Sequence, residues 1–440
     1  MNYDVLIVGT GIAGLYTALN LRDDIRILMI TKNSFKDCNS YLAQGGISTS
    51  LGFFDEENYF NDTMKAGNYN NNPEAVKLLI KNSIENINNL DEESLISKAI
   101  KSANQEIYKF SKTNDKLNYT REGGHGEFRI IHVKDETGKA VTETLLDKVA
   151  QKNNVTMLEN TTLIDLICED NICYGGILKN SSKTYSINSK FTILATGGIG
   201  GIFTSTTNVE YLTGDGLNIS LKNNISIKDM EYLQLHPTVL YEPKVKGKKL
   251  LLSESLRGEG GIILNQNKEQ FIDSLLPRDI VSSAILKEIE STPNKPYVYL
   301  DMTKKSKDFL IDRFPFLYNE CLKRGYEMDK DLLPIAPAHH YCMGGIKVDL
   351  FSKTSMNNLY AVGEVSCTGV HGSNRLASNS LLEALVFGKQ AAENINSKIN
   401  EISFKEIIKE PKSYALDSYE ELIKFLKEKV DNRYAKLFNC

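Results

Sequence analysis

The chain has 440 residues, with Lys+Arg 52 against Asp+Glu 56 and a formal net charge of −4. No basic block predicts nucleic-acid binding or electrostatic attachment to a membrane, and no window of about twenty apolar residues predicts a transmembrane helix. A chain of this length can bury a large core, divided over two or three units.

The first element is an apolar strand, Tyr3-Asp4-Val5-Leu6-Ile7-Val8, which runs directly into Gly9-Thr10-Gly11-Ile12-Ala13-Gly14. A helical pattern follows (Leu15, Ala18, Leu19, Arg22), and a second strand, Ile25 to Ile30, completes a βαβ unit. In that context G-x-G-x-x-G predicts dinucleotide binding. Gly9 makes the tight turn, Gly11 lets backbone N–H groups reach a pyrophosphate, and Gly14 lets the helix pack on the strand. The helix N-terminus adds partial positive charge. The second strand ends in Thr31-Lys32, where the fingerprint expects an acid for the ribose. Lys32 suits an NADP phosphate, whereas Thr31 suits a hydrogen bond to an FAD ribose.

Residues 33–55 read as loop, centred on Ala43-Gln44-Gly45-Gly46-Ile47, and helical patterns follow at 57–67, 74–89 and 91–106. The segment 111–140 is polar and glycine-bearing, and a helix is predicted near 141–152. Short strands around 155–158, 161–168, 172–179 and 184–188 read as a small β-meander inserted in a dinucleotide fold. A separate strand, Phe191 to Ala195, enters the turn Thr196-Gly197-Gly198 at the carboxyl end, where open α/β sheets bind ligands. Residues 230–341 hold most of the ten prolines and read as an inserted second domain. Strand Asn358 to Glu364 returns to the first domain, a helix spans about 378–396, and 404–438 is Lys/Glu-rich with helical spacing. Seven cysteines, at 38, 168, 173, 321, 342, 367 and 440, form no C-x-x-C pair, which argues against a disulfide framework or an Fe–S cluster. With a strand at the N-terminus, the expectation is no signal peptide and a cytoplasmic location. No spacing suits a metal.

Several segments together resemble the flavoproteins of the succinate dehydrogenase/fumarate reductase group. They are Gly9–Gly14, Ala43-Gln44-Gly45-Gly46, Ala195-Thr196-Gly197-Gly198, Gly214-Asp215-Gly216, Gln234-Leu235-His236-Pro237-Thr238, Ser253 to Gly260, Pro277-Arg278-Asp279, His340-Tyr341 with Gly344-Gly345, Tyr360 to Glu364, and Asn374 to Glu383. The resemblance covers roughly residues 3 to 395. It implies an α/β fold (α+β overall): a Rossmann-like FAD-binding domain over 1–229 and 342–398, an inserted α+β capping domain over 230–341, and a short C-terminal helical tail over 399–440. It decides the cofactor for FAD. Covalent-flavin members carry a histidine five positions before the glutamine of A-Q-G-G. Asn39 stands there, which implies non-covalent FAD. Where succinate-oxidising members show F-G-G-Q, this chain reads Glu122-Gly123-Gly124-His125 and so resembles the branch that oxidises L-aspartate. That branch commonly has a longer C-terminal helical domain.

The resemblance assigns roles. Arg375 is the planar fork for one substrate carboxylate, with His340 beside it. His236, Gln234 and Ser253 serve the rest of the dicarboxylate, and Glu122 meets the ammonium that succinate and fumarate lack. Arg278 is the acid/base at the carbon opposite the flavin. Because free arginine keeps its proton, action as a base needs a relay through Glu254 and Arg257, or else Arg278 is purely electrostatic. His339 reads as structural. Cofactor contacts fall to Gly9, Thr10, Gly11, Ile12, Ala13, Gly14, Thr31, Lys32, Asn39, Ser40, Ala43, Gln44, Gly45, Gly46, Ala195, Thr196, Gly197, Asp215 and Glu364. The helix start at Asn379, Ser380 and Leu381 is aimed at the flavin N1/C2 carbonyl. The implied function is FAD-dependent oxidation of L-aspartate to iminoaspartate on the quinolinate route to NAD, with O2 or fumarate as acceptor and quinolinate synthase as a candidate partner. The alternative is a soluble fumarate reductase or succinate dehydrogenase flavoprotein subunit.

Overall fold

The computed structural model describes residues 2–91, 112–113, 116–407 and 419–430. The first strand, Asn2–Val8, lies at the centre of a seven-stranded sheet. It pairs in parallel with Ile27–Ile30 on one side and with the second half of Thr184–Leu194 on the other. Val155–Leu158 extends the sheet beyond Ile27–Ile30, and Leu359–Ala361 adds to Thr184–Leu194, both in parallel. Val5 to Val8 and Ile27 to Ile30 are buried throughout, as expected for a parallel sheet covered on both faces. Gly9 leaves the strand at φ +116, and a Cβ there would lie 2.1 Å from the Ala195 carbonyl oxygen, so only glycine makes this turn.

The predicted break between 184–188 and 191–195 does not exist. Thr184–Leu194 is one strand of eleven residues. Its first half pairs antiparallel with Ile172–Lys179, which in turn pairs with Thr162–Glu169. These strands are therefore the antiparallel wing of the main sheet rather than an inserted meander. The polar run Asn188-Ser189-Lys190 imitates a turn, yet Asn188 and Ser189 are buried and Lys190 pairs with Asp4 at 3.3 Å.

The helices Ile12–Asn20 and Asn379–Lys398 pack together on one face of the sheet, over a core that includes Leu15, Ala18, Leu382, Leu385, Phe387 and Ile395. The segment expected as loop over 33–55 contains a short strand, Ile47–Ser48, and the start of helix Phe53–Ala66. The pattern over 74–89 divides into Pro73–Lys81 and Ser83–Asp91 around Asn82. The helix expected over 91–106 lies almost wholly outside the described residues, and the one expected near 141–152 is Thr137–Ala150.

A second sheet of six strands is built on Leu333–Cys342, which pairs antiparallel with Leu233–Leu240 and Val298–Asp301. Val298–Asp301 carries Ile262–Leu264 as its other neighbour. Residues between 240 and 335 close their own core, with Leu252, Ile263, Val281, Ile285, Leu300, Phe314 and Leu317 buried. Ser205–Thr206, from outside that segment, joins the same sheet, so the two layers are stitched together. Helix Arg278–Ser291 lies on Leu233–Leu240 and buries Val281 and Ile285, while Ile280 is exposed. Of the tail, Glu420–Lys429 is a helix that buries Leu422 and Leu426. No helix among the described residues is long and apolar enough to cross a membrane.

Candidate active site

The carboxyl ends of the parallel strands open into one cleft that continues to the second sheet. Its inner end carries Gly9, Thr10, Gly11 and Ala13, at a helix whose N-cap residue, Gly11, has no side chain of its own to cap it. Ser40 Oγ accepts the Ile12 N–H at 3.2 Å. Thr31 and Lys32 line the wall beside Asp215, which Lys32 pairs with at 3.1 Å. Asp215 also accepts from Thr213 Oγ1 and from the Tyr419 hydroxyl, each at 2.7 Å. Asn39 donates to Asn208 Oδ1 and accepts the Val209 N–H at 3.2 Å. Ala43, Gln44, Gly45, Gly46, Ala195, Thr196, Gly197, Ser380 and Leu381 complete the wall. Glu364 sits there too, accepting the Cys342 N–H at 3.2 Å, and burial pushes its carboxyl up to about 7.

Three predicted cofactor residues stand behind this wall. Ile12 is in the core and Gly14 packs on the Gly9 carbonyl. The Asn379 amide oxygen accepts from Tyr59 and Ser48 at 2.8 Å each. The wall fits a polar, phosphate-bearing cofactor. Gln44 Oε1 and Thr196 Oγ1 are buried on it with no hydrogen-bond partner, alongside the helix start at Gly11.

The outer end gathers the substrate residues. Helix Glu254–Gly258 is capped by Ser253 Oγ, which accepts the Ser255 N–H at 3.3 Å. Three residues apart on this short helix, Glu254 and Arg257 form a fully buried ion pair. Glu254 Oε2 accepts from Arg278 Nε at 2.9 Å and lies 3.7 Å from His236 Nε2. Arg278 Nη1 donates to Gln234 Oε1 at 3.0 Å. Burial alone would raise the Glu254 carboxyl, but Arg257 and Arg278 hold it below its usual value. Gln234 Nε2 continues to the Arg375 carbonyl at 2.8 Å. The chain Arg257–Glu254–Arg278 predicted as a relay is thus contiguous, with Arg257 and Gln234 behind the cleft wall.

Arg375 Nη1 donates to Ser380 Oγ at 2.9 Å, and the guanidinium lies over the Tyr341 ring, 4.6 Å from its centroid. Burial, then the nearby Arg278, lowers its pKa to about 10. His340 Nδ1 lies 2.7 Å from Thr207 Oγ1, and the His236 and His340 rings meet edge to face at 5.0 Å. Burial first, then Arg278, holds both imidazoles neutral. Arg375 Nε and His236 Nε2 are buried with no hydrogen-bond partner. Two guanidiniums, Arg278 and Arg375, thus line this end of the cleft, an arrangement that suits a dicarboxylate.

Glu122 is buried beside this cluster, and its two oxygens accept from Ser378 Oγ at 2.5 Å and Ser255 Oγ at 2.9 Å. Burial, then Glu254, raises its pKa. A Cβ at Gly123 would fall 2.4 Å from Glu254 Oε1, so glycine is what lets the Glu122 turn lie against the ion-paired cluster. His339 is buried and stacked on Phe203.

Some neighbours have no signal in single-residue reading. Thr207 sets His340, Ser255 and Ser378 hold Glu122, and Asn374 Oδ1 accepts from Gln234 at 2.8 Å. Glu383 accepts from Thr368 at 2.5 Å and lies 3.2 Å from the Tyr341 hydroxyl and 2.9 Å from His371 Nε2. This buried set fixes the ring on which Arg375 rests. Among the described residues no group of His, Cys, Asp or Glu is placed to hold a metal.

Residues 4–381 match the FAD binding domain family. The chain is similar to the L-aspartate oxidase of Clostridium acetobutylicum, 50% identical over 435 residues that cover 99% of this chain and 96% of that protein. It is similar to the L-aspartate oxidase of Clostridium perfringens at 48%, covering 94% and 91%. In structure it resembles E. coli quinol fumarate reductase, with a TM-score of 0.83 and 27% identity over 98% of this chain and 74% of that one.

Proposed function

This chain belongs to the L-aspartate oxidase family of FAD-binding flavoproteins, and we propose that its cleft performs that family's reaction as follows. It oxidises L-aspartate to iminoaspartate with FAD, a step of NAD biosynthesis. Bound FAD supplies the two-electron acceptor. Gly9, Thr10, Gly11, Ala13, Gln44, Thr196 and the Lys32–Asp215 pair would hold its dinucleotide part, and Ser380 and Leu381 its ring end.

Arg375 takes one carboxylate of the substrate by its unpartnered Nε, helped by His340. The Thr207 hydroxyl, 2.7 Å from Nδ1, fixes the orientation of the His340 ring. His236 Nε2 and the Ser253 region serve the other carboxylate. Glu122 receives the ammonium and holds the α-carbon in register. Its raised pKa in the free site falls back once a cation is bound beside it. Arg278 has Nε and Nη1 engaged by Glu254 and Gln234, leaving Nη2 as the donor that gives a proton to the carbon opposite the flavin when fumarate is reduced. Glu254 links that proton to Arg257. Segment 230–341 acts as a cap, since it brings His236, Ser253, Arg278 and His340 to the cleft, and its closure excludes water.

Fumarate and O2 are the acceptors that reoxidise the cofactor. For fumarate, the support is the two guanidiniums that line the cleft, Arg278 and Arg375, and the likeness to a fumarate reductase. The protein acts in the cytoplasm, and its unstable imine product passes to quinolinate synthase. The observation that carries the reading is a buried acid, Glu122, inside a site built otherwise for two carboxylates. The test is product stoichiometry in air. L-Aspartate should yield oxaloacetate and ammonia in equal amounts after hydrolysis of the imine, and succinate should yield no fumarate. Fumarate from succinate without ammonia from L-aspartate would favour a succinate dehydrogenase flavoprotein instead.

A further inference from the structure

His125 lies three residues after Glu122 and outside the lining of the cleft, yet it joins the two segments that hold the Glu122 carboxylate. Its backbone N–H closes the turn on the Glu122 carbonyl at 3.2 Å. Its ring Nε2 lies 2.9 Å from the Ala377 carbonyl, and the next residue, Ser378, donates its hydroxyl to Glu122. Its ring Nδ1 lies 3.2 Å from Arg129 Nη1. A guanidinium can only donate, so Nδ1 accepts and the proton sits on Nε2, aimed at Ala377. One tautomer is therefore set by the neighbours.

Arg129 is itself held on all sides. It is fully buried, takes Asp55 in a fork through Nε at 3.1 Å and Nη2 at 2.7 Å, and donates to Asp62 through Nη1 at 2.6 Å. Asp62 also accepts the Gly126 N–H at 2.7 Å. Both acids stand on helix Phe53–Ala66, which the main core anchors. A rigid path thus runs from this helix through Arg129 and His125 to the loop that carries Ser378.

We propose that His125 is a positioning residue for substrate choice: through Ala377 and Ser378 it fixes the Glu122 carboxylate where the substrate ammonium binds. This rests on the reading of Glu122 given above. Fumarate has no ammonium, so its reduction does not depend on the tie.

Two variants separate the two ring nitrogens. His125→Asn keeps an acceptor for Arg129 and loses the reach to Ala377. His125→Gln keeps a donor for Ala377. The assays are kcat/KM for L-aspartate oxidation, kcat/KM for fumarate reduction by the reduced holoenzyme, and FAD affinity by fluorescence titration. His125→Asn should lower aspartate kcat/KM about tenfold, equivalent to about 1.4 kcal/mol. Fumarate reduction and FAD affinity should stay within about twofold, and His125→Gln should recover most of the loss. The acid limb of the aspartate profile should also move to higher pH in His125→Asn, because Glu122 loses the Ser378 bond that opposes the effects of burial and Glu254, leaving Arg278 as the facing cation. Added to Glu122→Gln, His125→Asn should cost nothing more. Equal losses in both reactions, no loss in either, an additive double variant, or Gln as damaging as Asn would overturn the proposal. If Glu122→Gln alone shows no selectivity, the reading of Glu122 fails. If it is selective and His125→Asn is not, only the role of His125 fails.

Discussion

Replacing Glu122 by glutamine removes one charge and keeps the shape. The carboxylate is buried, bonded only to two hydroxyls in the free site, and lies beside Glu254. A charge pair about 4 Å apart at an effective dielectric near 20 is worth about 4 kcal/mol. Removing one partner of such a desolvated pair typically costs about 2–5 kcal/mol. That corresponds to roughly 30- to several-thousand-fold in kcat/KM for L-aspartate. Fumarate offers no cation to Glu122, so its reduction should be unchanged or improved. The pH dependence follows from the same burial. Because the Glu122 carboxyl is raised, aspartate turnover is full above that raised value and falls as pH drops through it. Glu122→Gln should lose that limb, and fumarate reduction should never show it. The assay is steady-state kinetics of both half-reactions from about one pH unit above to one below the limb. Small, equal effects on both would mean a merely structural glutamate. Large, equal losses would mean that Glu122 holds the loop, and either result refutes the ammonium contact.

Glu254→Gln should destabilise the fold by about 3–5 kcal/mol in denaturant titration, because Arg257 and Arg278 would be left buried against a neutral amide; an unchanged midpoint would contradict the buried pairing. The lowered Glu254 pKa also implies stability that is present at neutral pH and lost as pH falls through that lowered value. Acid precipitation should leave yellow FAD in the supernatant, since Asn39 offers no imidazole for a covalent link, and colour staying in the pellet would reverse this. Proteolysis near 228–232 and 341–346 should slow in the presence of succinate if segment 230–341 closes over the cleft. Identical cleavage with bound ligand would argue for a fixed cap.

The βαβ unit was legible because glycine geometry and the parallel-strand run are local signals, and the structure places Gly9 at the turn they describe. The unity of Thr184–Leu194 was not. Its polar centre is buried where the strand passes from antiparallel to parallel neighbours, which no local pattern encodes. At the site, Arg278, Glu254 and Arg257 could be named together, since two of them share one short helix and family motifs supply the third. Ser253 was expected to bind a carboxylate, and in the free site its oxygen caps that helix. The Asp55–Arg129–His125 path has no sequence signature, because its members are separated by up to 74 residues and follow no periodicity. Only the fold brings them to the back of Glu122.

The most direct measurement is anaerobic. The oxidised holoenzyme is mixed with L-aspartate or succinate and the visible flavin band is followed, after which fumarate is admitted. Bleaching by L-aspartate, little change with succinate and return of the band with fumarate is the expected result. Bleaching by succinate with none by L-aspartate, or no bleaching by either, would contradict it.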